Sequence, residues 1–311
     1  MPATSSPLIA VLVLALVVVV GVWGCAMLDR VARAVLAGRR PEWSAIAPVR
    51  EAALLLAQQR NRTEVPDGPA WVLAPAVYLG LASTGLAVVP WSAALAPADV
   101  PAGIVLWGSV EALAVVAIFL HGWSANAPLP LIGGYRYVAL GLCYVLVSMF
   151  VLIAAALPAE SLRLSEIVES QRGLWNVVRQ PLGMPLFLFV GLGVAFWGPL
   201  NFADSVDLAG GTAAEVSGPS RLVWELARRA MLVAFSAVAA TVFLGGWLGP
   251  WLPGPVWLGL KTLALLTVLA FLGRAVPRIR TERVVTLVWV GLLPLSFLGL
   301  LIAGIAALRS T

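Results

Sequence analysis

The sequence is poor in almost everything that water-soluble chemistry uses. Only 11% of its 311 residues are charged, against about 25% in an ordinary soluble domain. Hydrophobic residues make up 61%, and the mean hydropathy is +0.96. Too little polar surface remains to keep such a chain in water, which excludes the soluble globular and the disordered classes. Two cysteines, Cys25 and Cys143, both lie in apolar runs, so neither a disulfide framework nor a paired-cysteine metal cluster is expected. The single histidine, His121, leaves no His-rich metal site or catalytic triad to assemble. Lysine occurs once, at Lys261, among nineteen arginines. No Walker A motif, Rossmann glycine fingerprint or metal-ligand set is present.

What the chain does have is long apolar runs. A helix needs about 20 apolar residues to cross a bilayer, and eight runs qualify: 7–28, 69–91, 103–123, 137–157, 182–200, 230–248, 256–273 and 284–308. Glycines and prolines interrupt the fifth. The first has a basic flank downstream and no basic start or small-residue cleavage site, so it reads as a retained span. The expected fold is an all-α polytopic membrane protein, residues 1–311 forming one membrane domain. Two connections are expected to lie as in-plane amphipathic helices. Trp43–Gln59 places Ile46, Val49, Ala53 and Leu56 on one face, and Leu164, Ile167, Val168 and Gln171 follow the same spacing in a later loop, near Trp175.

Charge orients the spans. Fifteen arginines fall in the first connection and the connections that follow the third, fifth and seventh spans, against Arg163, Arg172, Arg179 and Arg309 on the other side. Basic residues mark the cytoplasmic side, so both termini are expected outside. This distribution accounts for the pI near 9.9, and no nucleic-acid partner is expected.

Charge inside hydrocarbon is costly and marks a functional site or a helix–helix pair. Lys261 falls in the seventh span and Glu111 in the third. Glu225 precedes Arg228 and Arg229 by three and four residues, the spacing of an intrahelical pair. Asp204, Asp207 and Glu215 gather in the loop after the fifth span. Lys261 is expected to face the bundle interior beside Glu111, Glu225 or Glu215, the bland alternative being a lysine that snorkels to the interface.

Ordered along the chain, several strings resemble the H-type membrane protein of respiratory complex I, also known as its membrane subunit 1, and the related membrane component of energy-converting hydrogenases. Pro199-Leu200-Asn201-Phe202-Ala203-Asp204 stands where that family has a PFDLPE-type stretch, and Glu215-Val216-Ser217-Gly218 where it has EYSG. Gly122-Trp123-Ser124-Ala125-Asn126 with Gly133 and Arg136, Phe243-Leu244-Gly245-Gly246-Trp247, Trp257-Leu258-Gly259-Leu260-Lys261-Thr262 and Leu73-Ala74-Pro75 match further family motifs in the same order.

The resemblance implies a subunit of an NADH–quinone oxidoreductase in a bacterial inner membrane. Such a subunit joins a hydrophilic redox arm to antiporter-like membrane subunits and forms most of a quinone tunnel. It implies quinone as substrate and no flavin, iron–sulfur cluster or metal in this chain. Lys261, Glu215, Asp207, Asp204, Glu225 and Glu111 become candidates for a proton path, and Glu51, Arg50 and Arg136 for the tunnel. The loop acids and the arginine-rich first connection become the expected docking face.

The sequence departs from the pattern at specific positions. Leu54 stands where a lysine is expected, Glu51 replaces an aspartate, Val145 an acid, Phe196 an arginine and Asn201 an aspartate, while Arg228-Arg229 fall on a Glu-Tyr pair. Arg39-Arg40-Pro41-Glu42 lacks the Gly-Pro-Asn-Arg element that follows in the family. These losses imply a weakened quinone site. Alternatives are a hydrogenase-type assembly and a purely structural anchor. A solitary transporter would require an inverted repeat, which the sequence does not show.

Overall fold

The computed structural model describes residues 7–41, 44–93 and 95–310, and these contain helices and loops but no strand. In chain order the helices are α1 (Pro7–Leu36), α2 (Ala47–Ala57), α3 (Gly68–Ala87), α4 (Gly103–Ser124), α5 (Pro128–Ala156), α6 (Leu164–Glu169), α7 (Asn176–Arg179) and α8 (Gly183–Val194). They continue as α9 (Gly218–Phe243), α10 (Gly254–Ala275), α11 (Thr281–Thr286) and, after a π-helical turn at Leu287–Leu292, α12 (Leu293–Ser310). Pro294 stands just past that turn; it has no N–H to complete an ordinary i−4 bond.

Seven of the described helical segments are long and apolar enough to cross a membrane. The fifth expected span, 182–200, is the exception, because only Gly183–Val194 is helical, about 18 Å at 1.5 Å per residue. The chain nevertheless continues inward. Gly183 packs on Phe243 at the far end of α9, while Val194 reaches Tyr78 and Tyr137. Both tyrosine hydroxyls donate to the Val194 carbonyl at 3.0 Å, satisfying an acceptor that a broken helix leaves open. Non-helical backbone at membrane depth is tolerable only inside protein, and Ala195, Phe196, Trp197, Pro199 and Leu200 are all buried.

α9 is the hub. Its residues from Ala230 to Phe243 are all buried, and the run Ala234, Ser236, Ala237, Ala239 and Ala240 lets neighbouring backbones come close. Around it pack α1, α3, α8 and α10. α1 and α12 instead expose Leu12, Leu16, Val19, Leu298 and Ile302, surfaces suited to lipid.

Span ends shift in an informative way. α1 runs two turns past Leu28 and α9 starts three turns before Ala230, which carries Asp29, Glu225, Arg228 and Arg229 onto rigid helices. α2 forms as expected from Ala47; Glu42 and Trp43 lie outside the described residues. Ile46, Val49 and Leu56 point outward, and the Trp23 indole ties α1 to the Ala45 carbonyl at 2.9 Å. The second in-plane segment is helical over Leu164–Glu169, with Leu164, Ile167 and Val168 buried.

Candidate functional site

The arginine-rich connections share one end of the bundle, here the basic end. A cavity of about 760 Å³ opens there between α1, α2, α9, α10 and the 195–217 connection. Leu54, Leu55, Trp197 and Val276 supply apolar wall. Most of the remaining wall is charged: Arg33, Arg221, Arg228, Arg229, Arg274 and Arg278 face Asp29, Glu51, Asp204 and Glu225.

Asp29 is 3% exposed and clamps α1 to α10, since the Arg274 guanidinium donates to both its oxygens at 2.7 and 2.9 Å. Arg33, one turn on, lies 3.2 Å away. Opposite, Asp204 is buried and accepts from the Thr212 hydroxyl and, at 2.8 Å, from the Trp224 indole. Arg228 stands 3.4 Å from Asp204 and 3.5 Å from Glu225, and donates to the Phe196 carbonyl at 3.0 Å. Its guanidinium lies 4.4 Å from the centre of the Phe196 ring, within cation–π range. Burial raises the Asp204 pKa, against the opposing pull of Arg228, Thr212 and Trp224. Glu225 also pairs with Arg221 at 3.1 Å, one turn back. The expected partnership with Arg228 therefore forms, at a half-buried cavity wall.

Two glycines allow the floor to close. Gly198 has φ +58°, and a Cβ there would meet the Gly273 backbone at 2.3 Å. α10 thus packs directly on the unwound connection, and any larger residue at 198 would push the walls apart.

The other sequence candidates divide. Glu51 lines the cavity, paired with Arg30, but Arg50 is exposed on the outer side of α2 and does not line it. Arg136 does not line it either. Together with Arg278 it clasps Asp207, at 2.6 Å for the Arg136 bond. Partial burial works against ionisation, yet these two arginines hold the Asp207 carboxyl well below the usual carboxylate range. The clasp is therefore fully formed above the ordinary aspartate pKa and is lost only as pH falls through the depressed one. Glu215 is half-buried and forms no ion pair among the described residues.

Glu111 is fully buried between α4 and α5, accepting from the Ser148 hydroxyl at 2.9 Å, with its other oxygen unpartnered. Lys261 is where the expectation fails most clearly. It faces inward, but at the opposite end of the bundle from Glu225 and Glu215, and it pairs with no acid among the described residues. Its ammonium donates to the carbonyls of Leu244, Gly246 and Leu248 at 2.7, 2.9 and 2.7 Å, with the Trp175 ring at 4.6 Å. Three donors meet three acceptors just past the C-terminus of α9, where a cation also suits the helix dipole.

His121 is buried, stacked on Trp224 with ring centres 3.8 Å apart. Sequence reasoning also passed over Asp29 and Arg274 as site residues; the only signal was an acid abutting the first apolar run. Leu54 brings no charge to this cavity, whereas α9 brings Arg228 and Arg229 to its walls. No group of three or more His, Cys, Asp or Glu residues suited to a metal occurs among the described residues.

Comparison with known proteins bears on this arrangement. The family model described as NADH dehydrogenase matches residues 8–304. The NADH-quinone oxidoreductase H-type chain numbered 1 in Rhodopseudomonas palustris strain BisB5 is 37% identical over 240 residues, covering 77% of this chain and 75% of that protein. The protein of the same name from strain HaA2 is 34% identical over 300 residues, 95% of this chain and 94% of the relative. The H-type chain of the Geobacillus kaustophilus NADH-quinone oxidoreductase is 30% identical over 257 residues, 81% and 77% of the two chains. With matches running nearly end to end, the chain belongs to the NADH dehydrogenase family of multi-pass membrane proteins, whose named relatives are H-type subunits of the enzyme complex NADH-quinone oxidoreductase.

Proposed function

We propose that this subunit connects a hydrophilic redox arm to the membrane arm of an NADH–quinone oxidoreductase, and that the cavity at its basic end receives the quinone. The observation that carries the reading is the cavity itself. It is large enough for a ring headgroup, has apolar wall at Leu54, Leu55 and Trp197, and holds the buried Arg228 and half-buried Arg229 of α9, whose guanidinium groups can donate to a carbonyl oxygen. A hydrogen bond from a charged group contributes about 1.5–3 kcal/mol. Arg228 and Arg229 would therefore offset the cations that the sequence lacks at Leu54 and Phe196. The names of the relatives favour the NADH-linked complex over a hydrogenase-type one.

Leu55→Trp tests this directly by adding bulk to the cavity wall. In the assembled complex it is expected to raise the KM for a short-chain quinone about tenfold, equivalent to about 1.4 kcal/mol of lost binding, with assembly unchanged. An unchanged KM in an assembled complex would remove the cavity from the reaction.

The basic end is assigned to the cytoplasm, with both termini outside. The 195–217 connection, where Val206 is 90% exposed beside clasped Asp207, is the proposed docking face for the redox arm. Reporter fusions at Pro66, Pro97, Arg172 and Arg278 are expected to read inside, outside, outside and inside. A cytoplasmic signal at Arg172 would overturn this topology.

A further inference from the structure

The arginines of the cavity are not equally compensated. Arg33 and Arg274 share Asp29, Arg278 is held by Asp207, Arg221 by Glu225, and Arg228 by Asp204 and Glu225. Arg229 alone among the six forms no ion pair or hydrogen bond among the described residues. Its Nε is buried without a partner, as is the Nε of neighbouring Arg228. Its own helix offers only Glu225, one turn back, beyond ion-pair distance and already engaged by two other arginines. From α1 it faces the fully buried Cys25, and the nearby acid of that helix, Asp29, is already engaged by Arg33 and Arg274.

Arg229 is half-buried, with its Nε shut off from water and no acid in contact, and a guanidinium so placed favours a bound anion. A neutral carbonyl would accept a hydrogen bond but leave the charge. With six guanidinium groups against four carboxylates on the cavity walls, the walls favour more than one negative charge. We infer that the cavity contains an oxyanion subsite at Arg229, selective for a phosphate group. Planar guanidinium N–H pairs match phosphate oxygens in bidentate geometry. The phosphate could be the headgroup of an anionic lipid, reaching in past the apolar outer face of α2, or free phosphate from the aqueous side. The inference does not depend on quinone occupying the rest of the cavity.

The test uses the assembled complex, delipidated in detergent and in phosphate-free buffer, with two probes: radiolabelled inorganic phosphate and short-chain (dihexanoyl) phosphatidic acid. One site per complex is expected to be present in the wild type, absent in Arg229→Gln and weakened by no more than about tenfold in Arg229→Lys, which keeps the charge but loses the fork. Binding of inorganic phosphate would identify a free-anion subsite, and binding of phosphatidic acid alone a lipid-headgroup subsite. In the unmodified protein, the bound probe is further expected to slow phenylglyoxal modification of Arg229, read by peptide mass spectrometry, so the test survives if a variant fails to assemble. Equal binding by wild type and Arg229→Gln, or a modification rate indifferent to both probes, would overturn the inference.

Discussion

Arg228→Met is expected to cost about 3–5 kcal/mol, the penalty for leaving a buried partner charge uncompensated, and to abolish quinone reduction. Asp204 and Arg228 have side chains only 3% and 10% exposed, so bulk water cannot replace the guanidinium. Several interactions fail together: the ion pairs to Asp204 and Glu225, the bond to the Phe196 carbonyl and the cation–π contact with the Phe196 ring. The Phe196 carbonyl belongs to the unwound stretch after α8, so its loss frees backbone that depends on protein partners for stability. The damage is specific and repairable. Asp204→Asn can keep the bonds from Thr212 and Trp224 while removing the charge, so the double variant Asp204→Asn, Arg228→Met is expected to be more stable than Arg228→Met alone. A double-mutant cycle on melting of the purified complex measures this coupling. Additive effects would show that the two side chains are not a unit.

The second large effect is expected at Lys261, where the location of the damage separates two roles. Removing the ammonium in Lys261→Met leaves the buried Gly246 carbonyl and the partly buried Leu244 and Leu248 carbonyls without a donor, at about 1–3 kcal/mol for each group that stays unsatisfied. A loss of about 3 kcal/mol and a poor yield of assembled complex are expected. The complexes that do assemble should translocate protons normally per quinone reduced. Lys261→Arg should rescue only in part, because a planar fork cannot meet three carbonyls converging on one nitrogen. A group on the proton path would behave in the opposite way, with normal stability and lost coupling. Melting temperature and proton-to-quinone ratio, measured on the same preparation, decide between them.

These cases also mark where sequence reading reaches its limit. Apolar length was enough to foresee an all-helical membrane protein and the helical α2. Glycines and prolines between Leu182 and Leu200 signalled the interruption of α8 but not its position, which depends on Tyr78 and Tyr137 arriving from two other helices. Lys261 was legible as an unusual residue, whereas its partners were not, since a backbone carbonyl has no side-chain signature. Glu225 and Arg228 were legible because their spacing is local. Asp29 and Arg274 pair across 245 positions, and only the extension of α1 beyond its apolar run turns Asp29 toward α10. Arg50 and Arg136 sit on segments that resemble the tunnel-forming parts of the family, but helix rotation carries one to the surface and the Asp207 clasp engages the other.

Photo-labelling of the assembled complex with an azido-quinone, followed by peptide mapping, reads out whether quinone occupies the cavity at the basic end. Quinone-competable label is expected on the α2 peptide containing Leu54 and Leu55 and on the connection from Trp197 to Val206, lost in Leu55→Trp. Label confined to other subunits, or falling on this chain only around Lys261 and Trp175 at the opposite end, would contradict quinone binding in the cavity.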